Sequence, residues 1–361
     1  MEKISKFVEC LLPITICNLK CHYCYVIQRN NRLMKKAVFR YSVDKMVSSL
    51  TKERMGGVTF FSICGAGETL LCSELPDLVK GLLANGHYVN LTTNGTVSKA
   101  IEKIIEITPR EDLSRLQFAF SYHYLELERL NLGGGGFKNV NKVKAAGCSF
   151  LVQLNLCDEY IPYIDDIKRR VKQNIGAYPQ VAATRKEDLL HSKVQLYTQL
   201  SEKEYMDIGR TFDSPLFDFT MKNFNVKRKE YCYAGEWSYV LNLENGILQA
   251  CYGSLSWQNI FENNKPIALR AIGRHCGSLF CMNSSHFLSM GIVPSLKTPT
   301  YCELRDRKTN DGHWYNDIMR EALSHKLEEN NIKHGIFKRV KNEFSFIKER
   351  LKLSFNKIGR K

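Results

Sequence analysis

The sequence predicts an α/β fold: a parallel sheet of six strands with helices on its outer face, then a cysteine-rich extension and a basic amphipathic helical tail. Three observations predict it. Six apolar runs of strand length alternate with helical periodicities up to Ala183, the cysteine spacing changes past Lys227, and apolar residues recur at three- and four-residue steps past Asn330. The expected division is 1–200 for the sheet domain, 201–226 for a bridging helix and linker, 227–315 for the extension and 316–361 for the tail.

The elements follow in order. Phe7 to Ile14 is an apolar run broken by Glu9 and predicts a buried strand delivering Cys17-Asn18-Leu19-Lys20-Cys21-His22-Tyr23-Cys24 at its C-terminal end. Parallel barrels place their chemistry at that end. Ser42 is placed to cap a helix from Val43 to about Arg54, which Met55-Gly56-Gly57 separates from a second strand, Val58 to Ile63. Further strands are predicted over Tyr88–Thr92, Leu116–Ser121, Leu151–Leu156 and Gln180–Ala183. Helices are predicted over Glu74–Asn85, Val97–Ile107, Lys138–Ala146 and Tyr163–Asn174. The four glycines Gly133 to Gly136 have no side chains to pack and predict a flexible connection.

Composition bounds the function. A chain of 361 residues, 44% of them apolar, can bury a full core and is not a disordered chain. No apolar stretch reaches membrane-spanning length and no secretion signal opens the sequence, so a cytoplasmic protein is expected, its 13 cysteines serving metal ligation rather than disulfides. The net charge of +15 favours anionic partners, but Arg320 to Lys361 holds 12 Lys and Arg against 5 Glu, a surplus of seven, so nucleic-acid binding is not expected from the total.

Three cysteines at the spacing of Cys17, Cys21 and Cys24 can hold three corners of an iron-sulfur cube and leave the fourth iron open. Zinc loops more often use paired Cys-x-x-Cys units, and here the first gap has an extra residue. With Tyr23 just before the last cysteine, the stretch resembles the radical S-adenosylmethionine (radical SAM) enzymes. The resemblance implies a six-stranded (β/α)6 partial TIM barrel, a 4Fe-4S cluster on Cys17, Cys21 and Cys24, and reductive cleavage of S-adenosylmethionine to a 5'-deoxyadenosyl radical that takes a hydrogen atom from substrate.

The same resemblance implies the cofactor contacts. Cys64-Gly65-Ala66-Gly67-Glu68-Thr69, which alone is a weak signal for more than a turn, is similar to the family's Gly-Gly-Glu motif, and Gly65, Ala66, Gly67 and Glu68 are expected to hold S-adenosylmethionine. Thr92 and Asn94, in Thr92-Thr93-Asn94-Gly95-Thr96, where a plain Asn-Gly turn is the alternative, and Ser121 fall where the resemblance implies contacts to the cofactor. Asn155 ends the fifth strand. At strand ends, His123 is a candidate for proton transfer and Arg185 for binding a carboxylate or phosphate, beside the plain alternatives of a structural histidine and a solvated arginine. Cys157 and Cys302 are candidate hydrogen-atom donors for an epimerase, beside the alternative of buried small hydrophobes.

After a bridging helix over Ser201–Phe212, Cys232, Gly246 and Cys251 form Cys-x13-Gly-x4-Cys around a hairpin, Ser238–Leu243 and Ile247–Tyr252, turned at Glu244-Asn245-Gly246. Cys276 and Cys281 can complete four thiolates for one auxiliary iron-sulfur cluster, most simply 4Fe-4S. The pattern resembles the SPASM and twitch extensions. Cys302 or His275 as a replacement ligand, a zinc ribbon, and scattered thiols stay open. In the tail, Phe337, Val340, Phe344, Ile347 and Leu351 form an apolar stripe with Lys338, Lys341, Lys348 and Lys352 off it, expected to pack on the barrel or to contact a membrane surface or partner.

The expected function is that of a radical SAM oxidoreductase acting on a small or glycan-like substrate by dehydrogenation or epimerisation, with an external flavodoxin- or ferredoxin-like electron donor. Only 16 residues precede Cys17, which favours such a substrate over a peptide. The alternatives are a peptide maturase and a non-enzymatic iron-sulfur or zinc protein that binds nucleic acid.

Overall fold

The computed structural model describes residues 2–187 and 194–346. Six strands, β1 (Lys6–Leu12), β2 (Thr59–Gly65), β3 (Tyr88–Thr93), β4 (Leu116–Ser121), β5 (Ser149–Leu156) and β6 (Gln180–Ala183), pair in parallel in sequence order. Phe7, Val8, Glu9 and Cys10 of β1 are all buried, as a strand covered on both faces requires. The strand stops two residues short of the expected Ile14 because Pro13 has no N–H for the ladder.

Helices α1 (Leu75–Ala84), α2 (Ser98–Ile107), α3 (Gly133–Ala145) and α4 (Ile164–Ile175) return the chain between strands. In α4, Ile167, Val171 and Ile175 are buried at four-residue steps, each contributing about 2 kcal/mol by removal from water. Two expectations fail locally. The helix expected from Val43 to Arg54 breaks into Val43–Ser48 and Lys52–Met55, since Ser49 Oγ donates to Lys45 O and Thr51 caps a new start. The glycine run does not form a loose connection but begins α3. Phe137, Val140 and Val143 are buried and fix that helix, so packing overrides the poor propensity of glycine.

The extension continues the same sheet. Strand β7 (Ser238–Asn242) pairs in parallel with β1, and β8 (Ile247–Gln249) and β9 (Trp257–Asn259) follow antiparallel, giving the order β9-β8-β7-β1-β2-β3-β4-β5-β6. At the turn, Gly246 has φ +73°, and a Cβ there would lie 2.7 Å from Asn259 Oδ1. The bridging helix α5 (Glu202–Arg210) starts in a capping box of Ser201 and Glu204.

The tail departs from the packed stripe. A helix over 336–346 docks through His334 and Asn342, which are buried, while Phe337 and Phe344 are exposed and Val340 half-exposed. Ile347, Lys348, Leu351 and Lys352 lie outside the described residues. No helix among the described residues is long and apolar enough to cross a membrane, and none of the 13 cysteines is in a disulfide.

Candidate active site

The loop after β1 is held from several sides. Thr15 N and Ile16 N donate to Lys35 O at 3.0 Å each, Arg32 Nη2 donates to Cys17 O at 2.8 Å, and Lys20 N donates to Glu126 Oε2 at 2.7 Å. Asn94 Nδ2 donates to Asn18 Oδ1 at 2.9 Å and reaches within 3.9 Å of Cys17 Sγ. These bonds bring Cys17, Cys21 and Cys24 to one wall of a cavity of about 380 Å³ at the C-terminal ends of the strands.

Burial chiefly pushes the Cys17 and Cys21 thiols above the ordinary range, helped at Cys17 by Glu68 and then Cys24 and at Cys21 by Cys17 and Cys24. A bound cation would reverse that by stabilising the thiolates. The donor set suits an iron-sulfur cluster with one open iron, which Cys17, Cys21 and Cys24 would hold at the wall of the cavity.

The second strand closes onto this loop. A Cβ on Gly67 would lie 2.2 Å from Ile16 O, and Glu68 N donates to that same oxygen at 2.9 Å, so only glycine permits the contact. Gly65, Ala66 and Glu68 line the cavity. The Glu68 carboxylate, however, is already engaged: it accepts from Thr93 Oγ1 at 2.5 Å, Asn94 N at 2.8 Å and Leu70 N at 3.0 Å. Its role is to brace the end of β3. Burial raises its pKa, against the pull of those three bonds.

Thr92, Asn94, Ser121 and Asn155 also face the cavity. Asn94 is committed to Asn18 and Thr96, whereas the side chains of Thr92, Ser121 and Asn155 bond no other described residue and are open to a ligand. His123 lies on the wall with Nδ1 2.6 Å from the Tyr23 hydroxyl, and burial lowers its pKa to about 4, leaving the ring neutral. Arg185 lines this cavity and a small pocket that it shares with Cys281. Its guanidinium bonds no other described residue, and nearby Glu187 is held by Arg29.

Cys157 and Cys302 are not brought to the cavity. Cys157 is buried with its thiol on Glu159, whose carboxylate lies 3.0 Å from His22 Nε2. Cys302 sits in Tyr301–Arg305 at the opposite end of the barrel, where Gln180, the first residue of β6, donates to Arg305 O at 3.0 Å. His275, the other alternative ligand, faces Glu343 and stacks on Phe346. Sequence reasoning missed Arg32, since its placement against Cys17 depends on a fold-back of residues 29–35 that no local pattern signals.

Cys232, Cys251, Cys276 and Cys281 converge in the extension. Burial raises Cys232 and lifts Cys251 to about 11 and Cys281 to about 12, with Cys251, Cys281 and Cys276 adding at Cys232, Cys276 at Cys251, and Cys251 and Cys276 at Cys281. Among the described residues, the only group of three ligand atoms mutually within 4.8 Å joins His22, Cys157 and Glu159. Thiolates on a single zinc would sit roughly 3.8 Å apart. Neither cysteine set holds three sulfurs mutually within 4.8 Å.

The Radical SAM superfamily matches residues 11–140 of the chain. No curated protein matches it. Among solved structures it is similar to Streptococcus suis SuiB bound to S-adenosylmethionine, at 14% identity and TM-score 0.48 over 72% of this chain and 64% of that one. It is similar to anSMEcpe with bound AdoMet and Cp18Cys peptide, at 15% identity and TM-score 0.48 over 98% of this chain and 99% of that one. It is also similar to BtrN in complex with AdoMet and 2-DOIA, at 14% identity and TM-score 0.36 over 92% of each chain. The part of SuiB that the chain covers is thus 64% of its length.

Proposed function

We propose that the chain, whose residues 11–140 match the Radical SAM superfamily, is a radical SAM enzyme that dehydrogenates a small or glycan-like substrate, with an auxiliary cluster on Cys232, Cys251, Cys276 and Cys281. The observation that carries this reading is Arg185, which borders both the cavity beside Cys17, Cys21 and Cys24 and the pocket beside Cys281.

When bound on Cys17, Cys21 and Cys24, the 4Fe-4S cluster and S-adenosylmethionine supply a 5'-deoxyadenosyl radical for hydrogen-atom abstraction. The chain's own residues do the rest. Gly67 lets the β2 turn reach the cysteine loop, Glu68 fixes the β3 end, and the open side chains of Thr92, Ser121 and Asn155 offer polar contacts to the cofactor or substrate. Arg185 offers a fork of donors to an anionic or hydroxyl-bearing group. His123, neutral and fixed on Tyr23, is placed to handle a proton. An auxiliary cluster on the four thiolates of the extension would accept the second electron of an oxidation.

Dehydrogenation is favoured over epimerisation because the only described cysteines lining the cavity are Cys17, Cys21 and Cys24, so no thiol is placed to return a hydrogen atom. The test is anaerobic reconstitution with iron and sulfide, then addition of S-adenosylmethionine and dithionite. Formation of 5'-deoxyadenosine that is lost in a Cys17/Cys21/Cys24→Ala variant, with about eight irons in the parent and about four in the variant, is expected. Absence of cofactor cleavage in a fully loaded parent overturns it.

A further inference from the structure

The helix over 336–346 has three faces with different fates. One docks on the extension: Asn342 Nδ2 donates to Ala271 O at 2.7 Å and to Tyr231 Oη at 3.1 Å, and Phe346 stacks on His275 with ring centroids 5.1 Å apart. A second carries Ile336 (80% exposed), Phe337 (92%), Val340 and Phe344 (68%). At 3.6 residues per turn these four fall within an arc of about 100°. Lys338 and Lys341 fall on the next arc, between the apolar and the docked faces, and both are exposed. Leu255, 77% exposed, shares a crevice with Phe346 on the docked side of the helix.

So much exposed apolar side chain on one helix marks a contact surface rather than ordinary surface scatter. We propose that this helix lays the protein on an anionic lipid bilayer. The charge of the segment selects that occupant. Residues 332–361 hold 10 Lys and Arg against 2 Glu, and the sequence past 346 goes on interleaving Ile347, Leu351 and Leu353 with Lys348, Arg350 and Lys352. Apolar side chains enter the acyl boundary while flanking lysines extend to acidic headgroups. A second copy is a poor occupant, because the same basic segment would face itself in a chain of net charge +15.

The test uses the full chain and extruded vesicles, one set purely phosphatidylcholine and one with roughly a quarter phosphatidylglycerol. Cosedimentation with the acidic vesicles only, falling steeply between about 0.1 M and about 0.5 M salt, is expected. A Phe337→Ser/Phe344→Ser variant, altered only at exposed positions, is expected to lose roughly tenfold or more in partitioning with an unchanged unfolding temperature. A Lys341→Glu/Lys348→Glu variant is expected to lose the preference for acidic lipid. The proposal is overturned if neither vesicle binds, or if binding ignores the phenylalanine pair. It is overturned equally if the parent is a dimer in solution that Phe337→Ser/Phe344→Ser dissociates, since a second copy then covers the face.

Discussion

The Tyr23 hydroxyl lies 2.6 Å from Nδ1 of His123 and 3.0 Å from the hydroxyl of Tyr160. One phenol thus ties the cysteine loop to the ends of β4 and β5. Tyr23→Phe keeps the ring but leaves an imidazole nitrogen and a second phenol without that partner, at a cost of about 1–3 kcal/mol. The expected outcome is an unchanged iron content, a lower unfolding midpoint, and slower 5'-deoxyadenosine formation, by roughly tenfold. An unchanged cleavage rate would mean that the phenol only fills space.

Glu68 gives a second prediction. Its two oxygens accept from one hydroxyl and two backbone amides, so Glu68→Gln places an NH2 group against donors. Destabilisation of about 1–3 kcal/mol is expected, together with weaker S-adenosylmethionine binding, because the Asn94 turn that touches Cys17 and Asn18 loses its support. Urea unfolding and equilibrium dialysis check the two parts separately. Equal affinity at reduced stability would confine Glu68 to the fold.

How much of this was legible beforehand differs from element to element. The parallel strands were readable because buried runs holding β-branched or aromatic residues end in polar turns, as Tyr88–Thr93 and Leu116–Ser121 do. The three-cysteine loop was readable because its spacing is itself the chemistry. The break at Ser49 and the helical start at Gly133 were not, since each depends on what the segment packs against. The same holds for Cys302, whose place at the far end of the barrel, away from the cavity, is set by the path of the chain. The apolar stripe at Phe337 was visible in the sequence, but only the docking of Asn342 decides that it faces outward.

His87 predicts an acid limb in stability. Its Nδ1 accepts from Thr59 N at 3.1 Å and its Nε2 lies 2.8 Å from Leu50 O, which requires a neutral ring, and burial lowers its pKa from 6.5 to about 4. The folded chain therefore binds this proton later than the unfolded chain as pH falls. Stability is full above 6.5 and declines between 6.5 and about 4, losing about 2 kcal/mol at about pH 5. Denaturant titrations of the parent and His87→Gln at about pH 7.5 and about pH 5 isolate the effect, with a smaller acid loss expected in the variant. Equal losses in both would falsify the assignment.

Arg185 decides between two uses of one charge. After burial and the neighbouring cysteines have raised the Cys281 pKa, Arg228 and then the Arg185 guanidinium lower it, and Arg185 also lines the cavity where a substrate would lie. If it chiefly faces the extension, Arg185→Gln removes a positive charge beside the auxiliary cluster, and the oxidised, less negative cluster gains relative to the reduced one. The midpoint potential then falls, by on the order of tens of millivolts. A redox titration followed by electron paramagnetic resonance in the Cys17/Cys21/Cys24→Ala background reads that cluster alone. If it chiefly faces the cavity, the potential holds, and Arg185→Gln instead raises KM for an anionic substrate while cofactor cleavage without substrate is unchanged. Because Glu187 is engaged by Arg29 and no other described side chain bonds the guanidinium, we expect the second outcome.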